Sequence, residues 1–295
     1  MTSSADKIAG APISWGVCEV PGWGYQLPPE RVLAEMQQVG LAATEFGPDG
    51  FLPADPAVMA EVLAARHLTA VGGFTPVVLH EPSHDPAPAI DHLLDSYDAA
   101  HADVLVLSAA TGQDGYDTRP ELDKSGWKTL LGNLDRLTSL AAKRGVRAVL
   151  HPHVGTMVER GEEVRRVLEG SSIALCLDTG HLLIGGTDPL LLARQVPDRI
   201  AHAHLKDVDV KLATEVQAGT LTYTEAVRRG MYTPLGAGDV DIAGIVTALR
   251  SNGFDGWFVM EQDTILDGEP SDEGPLRDVR ASVSFMQDVC RRVAV

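Results

Sequence analysis

Ile173-Ala-Leu-Cys-Leu177 runs directly into Asp178-Thr-Gly-His181, and Ile200-Ala-His-Ala-His-Leu205 runs into Lys206-Asp207. Each is a short apolar run that stops on chemistry-bearing side chains. Nearly continuous runs of this length suit strands covered on both faces, as in a parallel sheet. Six further runs share the character, at residues 8–13, 42–46, 69–74, 104–107, 147–150 and 257–260. Helical segments alternate with them at 28–39, 56–66, 85–100, 124–143, 161–169, 189–195, 242–251 and 278–293. Asp55 is a good N-cap, prolines open several first turns, and Gly40, Gly145, Gly170 and Gly253 stand where helices should stop. Eight strands alternating with helices in 295 residues predict an α/β protein: one (β/α)8 barrel domain spanning the chain. The competing open doubly wound sheet carries a glycine-rich turn after its first strand. Here Ser14-Trp-Gly-Val-Cys18 stands at that place.

Composition narrows the function classes. There are 41 acidic against 24 basic residues, a net charge of −17. Such an excess, with no compact Lys/Arg cluster, repels phosphate backbones and anionic lipid heads, so neither nucleic acid nor membrane is expected as a partner. No stretch reaches the roughly 18 apolar residues of a membrane span. Residues 1–7 read as a flexible tail without signal-peptide character. Cys18, Cys176 and Cys290 lie far apart with no CxxC, which argues against a disulfide framework or a thiolate zinc site and suits a reducing cytoplasm. A homo-oligomer is compatible with the sequence, which does not specify one.

The polar residues of interest sit at strand ends. The fifth strand ends in His151-Pro-His153-Val-Gly-Thr156, the sixth in Asp178-Thr-Gly-His181, the seventh in His202-Ala-His204-Leu-Lys206-Asp207 and the eighth in Glu261-Gln-Asp263. In a barrel these carboxy ends surround one mouth. A lone histidine at a strand end is more often a hydrogen-bonded structural residue, and Asp178 alone could shape a turn. Glu261 after an apolar strand is harder to dismiss, because a buried carboxylate without a partner is costly. Together the four ends predict a divalent-metal site of mixed nitrogen and oxygen ligands. Manganese or cobalt heads the set, with zinc, iron and magnesium open. His202, His204 and Lys206 share one strand face, with His204 nearer the mouth and His202 deeper; His151 and His153 share a face likewise. A last feature is the long loop 207–239 after the seventh strand, holding Tyr223, Tyr232 and several glycines. A loop of that length on the catalytic face is expected to fold over the mouth as a lid.

Asp178-Thr-Gly-His181, His202-Ala-His-Leu-Lys-Asp-Val208, Gly236-Ala-Gly-Asp-Val-Asp241 and Gly256-Trp-Phe-Val-Met-Glu-Gln-Asp263 resemble the sugar isomerase/epimerase superfamily, with its xylose-isomerase-like TIM barrel. Within it, Pro12-Ile-Ser-Trp15, His151-Pro-His-Val-Gly-Thr156 and Thr224-Glu-Ala-Val-Arg-Arg-Gly230 resemble the inosose dehydratases of inositol catabolism. The resemblance covers nearly the whole chain. It implies metal ligands His151, Asp178, His204 and Glu261, with His151 where the superfamily commonly has glutamate. It also implies a cyclic polyol ketone, 2-keto-myo-inositol, as substrate. Dehydration would proceed by α-proton abstraction and β-hydroxyl elimination, with Glu261, His153 and His181 as acid–base candidates. Trp15 is expected to cover the C–H face of the ring, and Glu45, Lys206 and Asp207 to bind hydroxyls. Two other readings stay open: a ketose or inosose isomerase or epimerase on the same scaffold, and a metal-binding barrel without catalysis. Loss of water separates the first reading from isomerisation, which conserves mass.

Overall fold

The alternation along the chain produces ten strands in a computed structural model that describes residues 7–293. They are β1 Ile8–Gly10, β2 Ala43–Glu45, β3 Thr69–Val78, β4 Val104–Ala110, β5 Arg147–Leu150, β6 Ala174–Asp178, β7 Ile200–Leu205, β8 Asp207–Val208, β9 Tyr232–Thr233 and β10 Phe258–Met260. Eight of them close into one parallel barrel in the order β1-β10-β7-β6-β5-β4-β3-β2, while β8 and β9 pair antiparallel outside it. The helices are α1 Pro29–Gln38, α2 Pro56–Ala65, α3 Ala87–Ala100, α4 Lys124–Lys143, α5 Gly161–Gly170, α6 Thr179–Ile184, α7 Pro189–Gln195, α8 Val210–Gln217, α9 Tyr223–Arg228, α10 Ile242–Ser251 and α11 Pro275–Val293. The expected (β/α)8 barrel is therefore the observed architecture.

Strand alternation sorts the side chains. One set faces the helices and builds the main core, including Leu105, Leu107, Leu150, Leu175, Leu177 and Phe258. The opposite set fills the barrel with small apolar groups: Ala9, Ala11, Ala43, Val71 and Val259 in one cluster, Val104, Val106, Val149 and Cys176 in another. The same alternation carries Asp178 and His204 inward within their strands, and His151 and Glu261 inward just past theirs.

Two expectations change. Lys7 is no tail residue: its carbonyl accepts the N–H of Phe258 at 2.9 Å and its Nζ donates to the carbonyl of Asp255 at 2.7 Å. Residues 1–6 of the expected tail lie outside the described residues. The segment 207–239 is an ordered insert rather than an irregular loop, built from the β8–β9 ribbon and helices α8 and α9. Asp209 caps α8 through the N–H groups of Lys211 and Leu212, and Thr222 caps α9 through that of Glu225. Among the described residues no helix is long and apolar enough to cross a membrane.

Candidate active site

Four consecutive barrel strands deliver the charged groups. His151 continues β5, with its N–H bonded to the carbonyl of Leu107 at 2.7 Å. Its Nε2 lies 3.1 Å from Oδ2 of Asp178, the last residue of β6. The other oxygen of Asp178 caps α6, accepting from Gly180 N at 2.9 Å and His181 N at 2.8 Å. One carboxylate thus turns the chain with one oxygen and presents the other to His151 and Lys206. Gly180 is required there: a Cβ would stand 2.8 Å from both Lys206 Cβ and a ring carbon of Tyr232.

On β7, Nε2 of His202 and Nε2 of His204 both donate to Oε1 of Glu45, at 3.0 and 2.9 Å. Nδ1 of His204 then faces Oε2 of Glu261 at 3.1 Å and Oδ2 of Asp178 at 3.8 Å. Lys206 extends the same face. Its backbone is pinned by Thr179, whose hydroxyl donates to the Lys206 carbonyl and accepts its N–H. Its ammonium reaches Oδ2 of Asp178 at 3.0 Å, Oε2 of Glu261, and Oδ1 of Asp263 at 3.3 Å.

The charge states follow from this pairing. Burial alone would raise the Asp178 carboxyl, but the Lys206 ammonium and the His181 and His151 rings hold it well below the usual carboxylate range. Burial likewise opposes ionisation of Glu261, and His204 and Lys206 overturn it. His204 is held well above an ordinary imidazole: burial works against the charge, while Cys176, Glu261 and Glu45 outweigh it. His151, His153 and His181 go the other way, lowered chiefly by burial and so neutral near pH 7. Asp263 is pushed up to about 6, by burial first, against the pull of Lys206.

His153 and His181 stack with ring centroids 3.6 Å apart, and Tyr116 lies over His153 at 4.3 Å. The insert packs Tyr223 against this pair, with ring centroids 6.2 Å from His153 and 5.8 Å from His181. Tyr223 donates its hydroxyl to Oδ2 of Asp263 at 2.6 Å and meets the hydroxyl of Tyr232 at 3.2 Å. These tyrosines belong to a second apolar core with Trp23, Val154, Ile184, Val227 and Met231. No member of the set His151, His153, Asp178, His181, His204, Lys206, Glu261 and Asp263 is more than 7% exposed.

Most of the expected residues meet here: His151, His153, Asp178, His181, His204, Lys206 and Glu261, with Glu45 one layer deeper. Two do not. Trp15 sits in the short helical turn after β1, fully buried in the outer core, and donates Nε1 to Glu35 of α1 at 2.8 Å. It packs the barrel wall instead of covering a ligand. Asp207 points away from the mouth, because Lys206 beside it points in. Its carboxylate accepts the N–H groups of Val208, Gly236, Gly238 and Val240, all within 3.0 Å, and so ties both ends of the insert together. Glu159 lies outside the cluster, taking the Gly155 N–H at 2.8 Å and facing Arg119 at 3.3 Å. Asp263, noted at its strand end, carried no assigned role, and Tyr116 was not expected. Asp263 has a sequence signal, since it shares strand parity with Glu261; Tyr116, in an irregular loop after β4, has none.

The donor set suits a divalent cation. Single ligand atoms of His151, Asp178 and His204 lie within 4.8 Å of one another, as do those of Glu45, His204 and Glu261. Nδ1 of His151 is buried without a hydrogen-bond partner, which leaves that ring short of one polar contact that a bound ligand would supply. A third group, Cys176, His202 and His204, lies beneath.

Comparison with known proteins places the chain in a family. Over 96% of the chain and 97% of the relative's length, the sequence is 30% identical to inosose dehydratase from Geobacillus thermodenitrificans (strain NG80-2). It is 33% identical to the rhizopine catabolism protein MocC of Rhizobium meliloti, over 92% of this chain and 84% of that one. Among solved structures, the IOLI protein with a binding zinc atom superposes with a TM-score of 0.70 at 14% identity, covering 97% of this chain and 98% of that one. Residues 33–289 match the family described as xylose isomerase-like TIM barrel, and the chain belongs to that family.

Proposed function

We propose that this protein is a divalent-metal-dependent hydro-lyase that removes water from 2-keto-myo-inositol, an inosose. The observation that carries the substrate class is the 30% identity to an inosose dehydratase along almost the whole of both chains. The convergence of His151, Asp178, His204 and Glu261 supports the metal, and their mixed nitrogen and oxygen donors suit manganese, cobalt, iron or zinc, of which we take manganese or cobalt as the first to test. When bound, the ion supplies Lewis-acid polarisation of the ketone.

The chain's own residues supply the rest. A carbon acid beside a ketone needs a base within hydrogen-bond reach, and the departing hydroxyl needs a proton. Glu261, held ionised, and His153 and His181, held neutral by burial, are competent bases. A stacked pair of neutral imidazoles is also suited to carrying a proton from one face of a ring to the leaving oxygen. Lys206 offers an ammonium to ring hydroxyls. The insert excludes water, which would otherwise return the proton before elimination. Cys18, Cys176 and Cys290, far apart in the sequence with no CxxC, suit work in a reducing compartment such as the cytoplasm.

The test is incubation of manganese- or cobalt-reconstituted protein with a panel of inososes and ketoses, followed by mass spectrometry. Loss of one water from 2-keto-myo-inositol is expected. Conversion with mass conserved would establish an isomerase or epimerase instead, and no conversion across the panel would leave a binding barrel.

A further inference from the structure

Lys206 is unusual in what it touches. Its ammonium is buried and serves three carboxylates, Asp178, Glu261 and Asp263. Two of these belong to the proposed ligand set, and the shared atoms are specific: Oδ2 of Asp178 and Oε2 of Glu261. Those same two oxygens face Nδ1 of His204, at 3.8 and 3.1 Å. A cation held between His204 and these carboxylates therefore draws on the oxygens that already neutralise Lys206. The third carboxylate, Asp263, stands outside the ligand groups, and its Oδ1 faces Lys206 at 3.3 Å with no hydrogen bond of its own among the described residues.

We propose that Lys206 is an internal counter-ion that competes with the metal for Asp178 and Glu261, and that metal binding shifts its ammonium onto Asp263. Two like charges drawing on one pair of oxygens repel strongly in a water-poor interior. The movement is short, because Asp263 is already within 3.3 Å of Nζ. It leaves Lys206 anchored by one carboxylate, with its remaining N–H groups free for a substrate hydroxyl. Removing Lys206 should thus have two opposite consequences. The carboxylates lose their neutralising partner when no metal is present, and the metal gains an uncontested site. The inference rests on the proposed metal site, and its test is independent of turnover.

The experiment is titration of chelator-stripped full-length protein with Co2+ at about pH 8, followed by absorption and calorimetry, for wild type, Lys206→Met and Lys206→Gln. Expected is Co2+ binding at least tenfold tighter in both variants, with metal-free melting temperatures below wild type and a larger rise on adding Co2+. Equal or weaker Co2+ binding in the variants, or metal-free variants as stable as wild type, would overturn the proposal. Absence of Co2+ binding by wild type and variants alike would instead overturn the metal site itself, and this inference with it. Should neither variant fold without metal, refolding yield with and without Co2+ gives the same reading: a yield that Co2+ fails to raise overturns it.

Discussion

The two halves of the barrel are built alike and loaded differently. From β1 to β4 the inward positions hold Ala9, Ala43, Val71, Val104 and Val106. From β5 through β7 and on to β10 they end in His151, Asp178, His204 and Glu261. Backbone geometry does not explain the contrast, since every neighbouring pair around the ring is parallel. Electrostatics does. A single charge inside a barrel is expensive, whereas charges on adjacent strand ends neutralise and hydrogen-bond one another. The pairs His151–Asp178, His204–Glu261 and Lys206–Asp178 all link strands that neighbour in the ring or nearly so. Glu45 on β2 is the charged exception in the first half among the described residues, and it reaches across to His202 and His204. Under the proposed function one half is scaffold and the other is site, and single substitutions should give separable phenotypes.

The largest effect is expected at Asp178. Asp178→Asn keeps an oxygen to cap α6 but removes the charge that faces His151, His204 and Lys206. Activity should fall at least about a thousandfold, the loss of several kcal/mol of electrostatic assistance. Elemental analysis should find the ion gone while circular dichroism stays native. His204→Ala should behave likewise. Full metal occupancy in either variant would remove that residue from the ligand set and blur the division between the halves.

The opposite phenotype belongs to Leu105 on β4, fully buried between barrel and helices. Leu105→Ala should cost roughly 2–5 kcal/mol of stability, a transfer loss plus a cavity. Urea unfolding would measure it. Metal content per folded molecule should be unchanged; a parallel loss of metal would mean that the scaffold half also tunes the site through its core.

Glu45 tests the bridge between the halves. Glu45→Gln retains an acceptor for one imidazole but weakens the hold on both. Because partners behind a ligand orient it, metal affinity should fall about 10- to 100-fold. Titration calorimetry would read this. An affinity equal to wild type would show that His204 needs no help from β2 and that the first half is scaffold alone.

What was legible in the sequence follows the same physics. Continuous apolar runs and their caps are local signals, so the eight strands and the helices around them could be read directly. Residues that extend a strand inherit its parity, which is why His151, His204 and Glu261 could be placed inward. Asp207 failed that rule by one residue: if Lys206 faces in, its neighbour must face out, and the four N–H groups it collects come from Gly236, Gly238 and Val240 far along the chain as well as Val208. Trp15 lies in a helical turn without period, so its partner Glu35 was invisible. The order within 207–239 had a readable trace in Asp209 and in Thr222 with Glu225, both sound N-terminal caps. How that insert sits on Asp263 depends on tertiary contacts alone.

The smallest expected effect lies at the seam between the halves. Asp135, on the helix that follows β4, accepts from the N–H of Ser172 at 2.9 Å and from the hydroxyls of Ser171 and Ser172 at 2.7 and 3.1 Å, just before β6 begins. Burial pushes its carboxyl up, but these donors together with the charge of Arg199 outweigh burial and hold it below its ordinary value. A carboxyl depressed in the folded state binds fewer protons there than when unfolded. Its contribution is therefore complete above the unfolded value of about 4 and disappears as pH falls through the lower folded value. Asp135→Asn keeps the shape and one acceptor oxygen, so at about pH 7 it should cost only about 1 kcal/mol, the order of the hydrogen bonding at stake. Urea unfolding of wild type and variant in steps from about pH 7 to about pH 3.5 should show that gap narrowing only below about pH 4. A gap that persists undiminished to the acid end would mean that Asp135 joins the two halves by shape and not by charge.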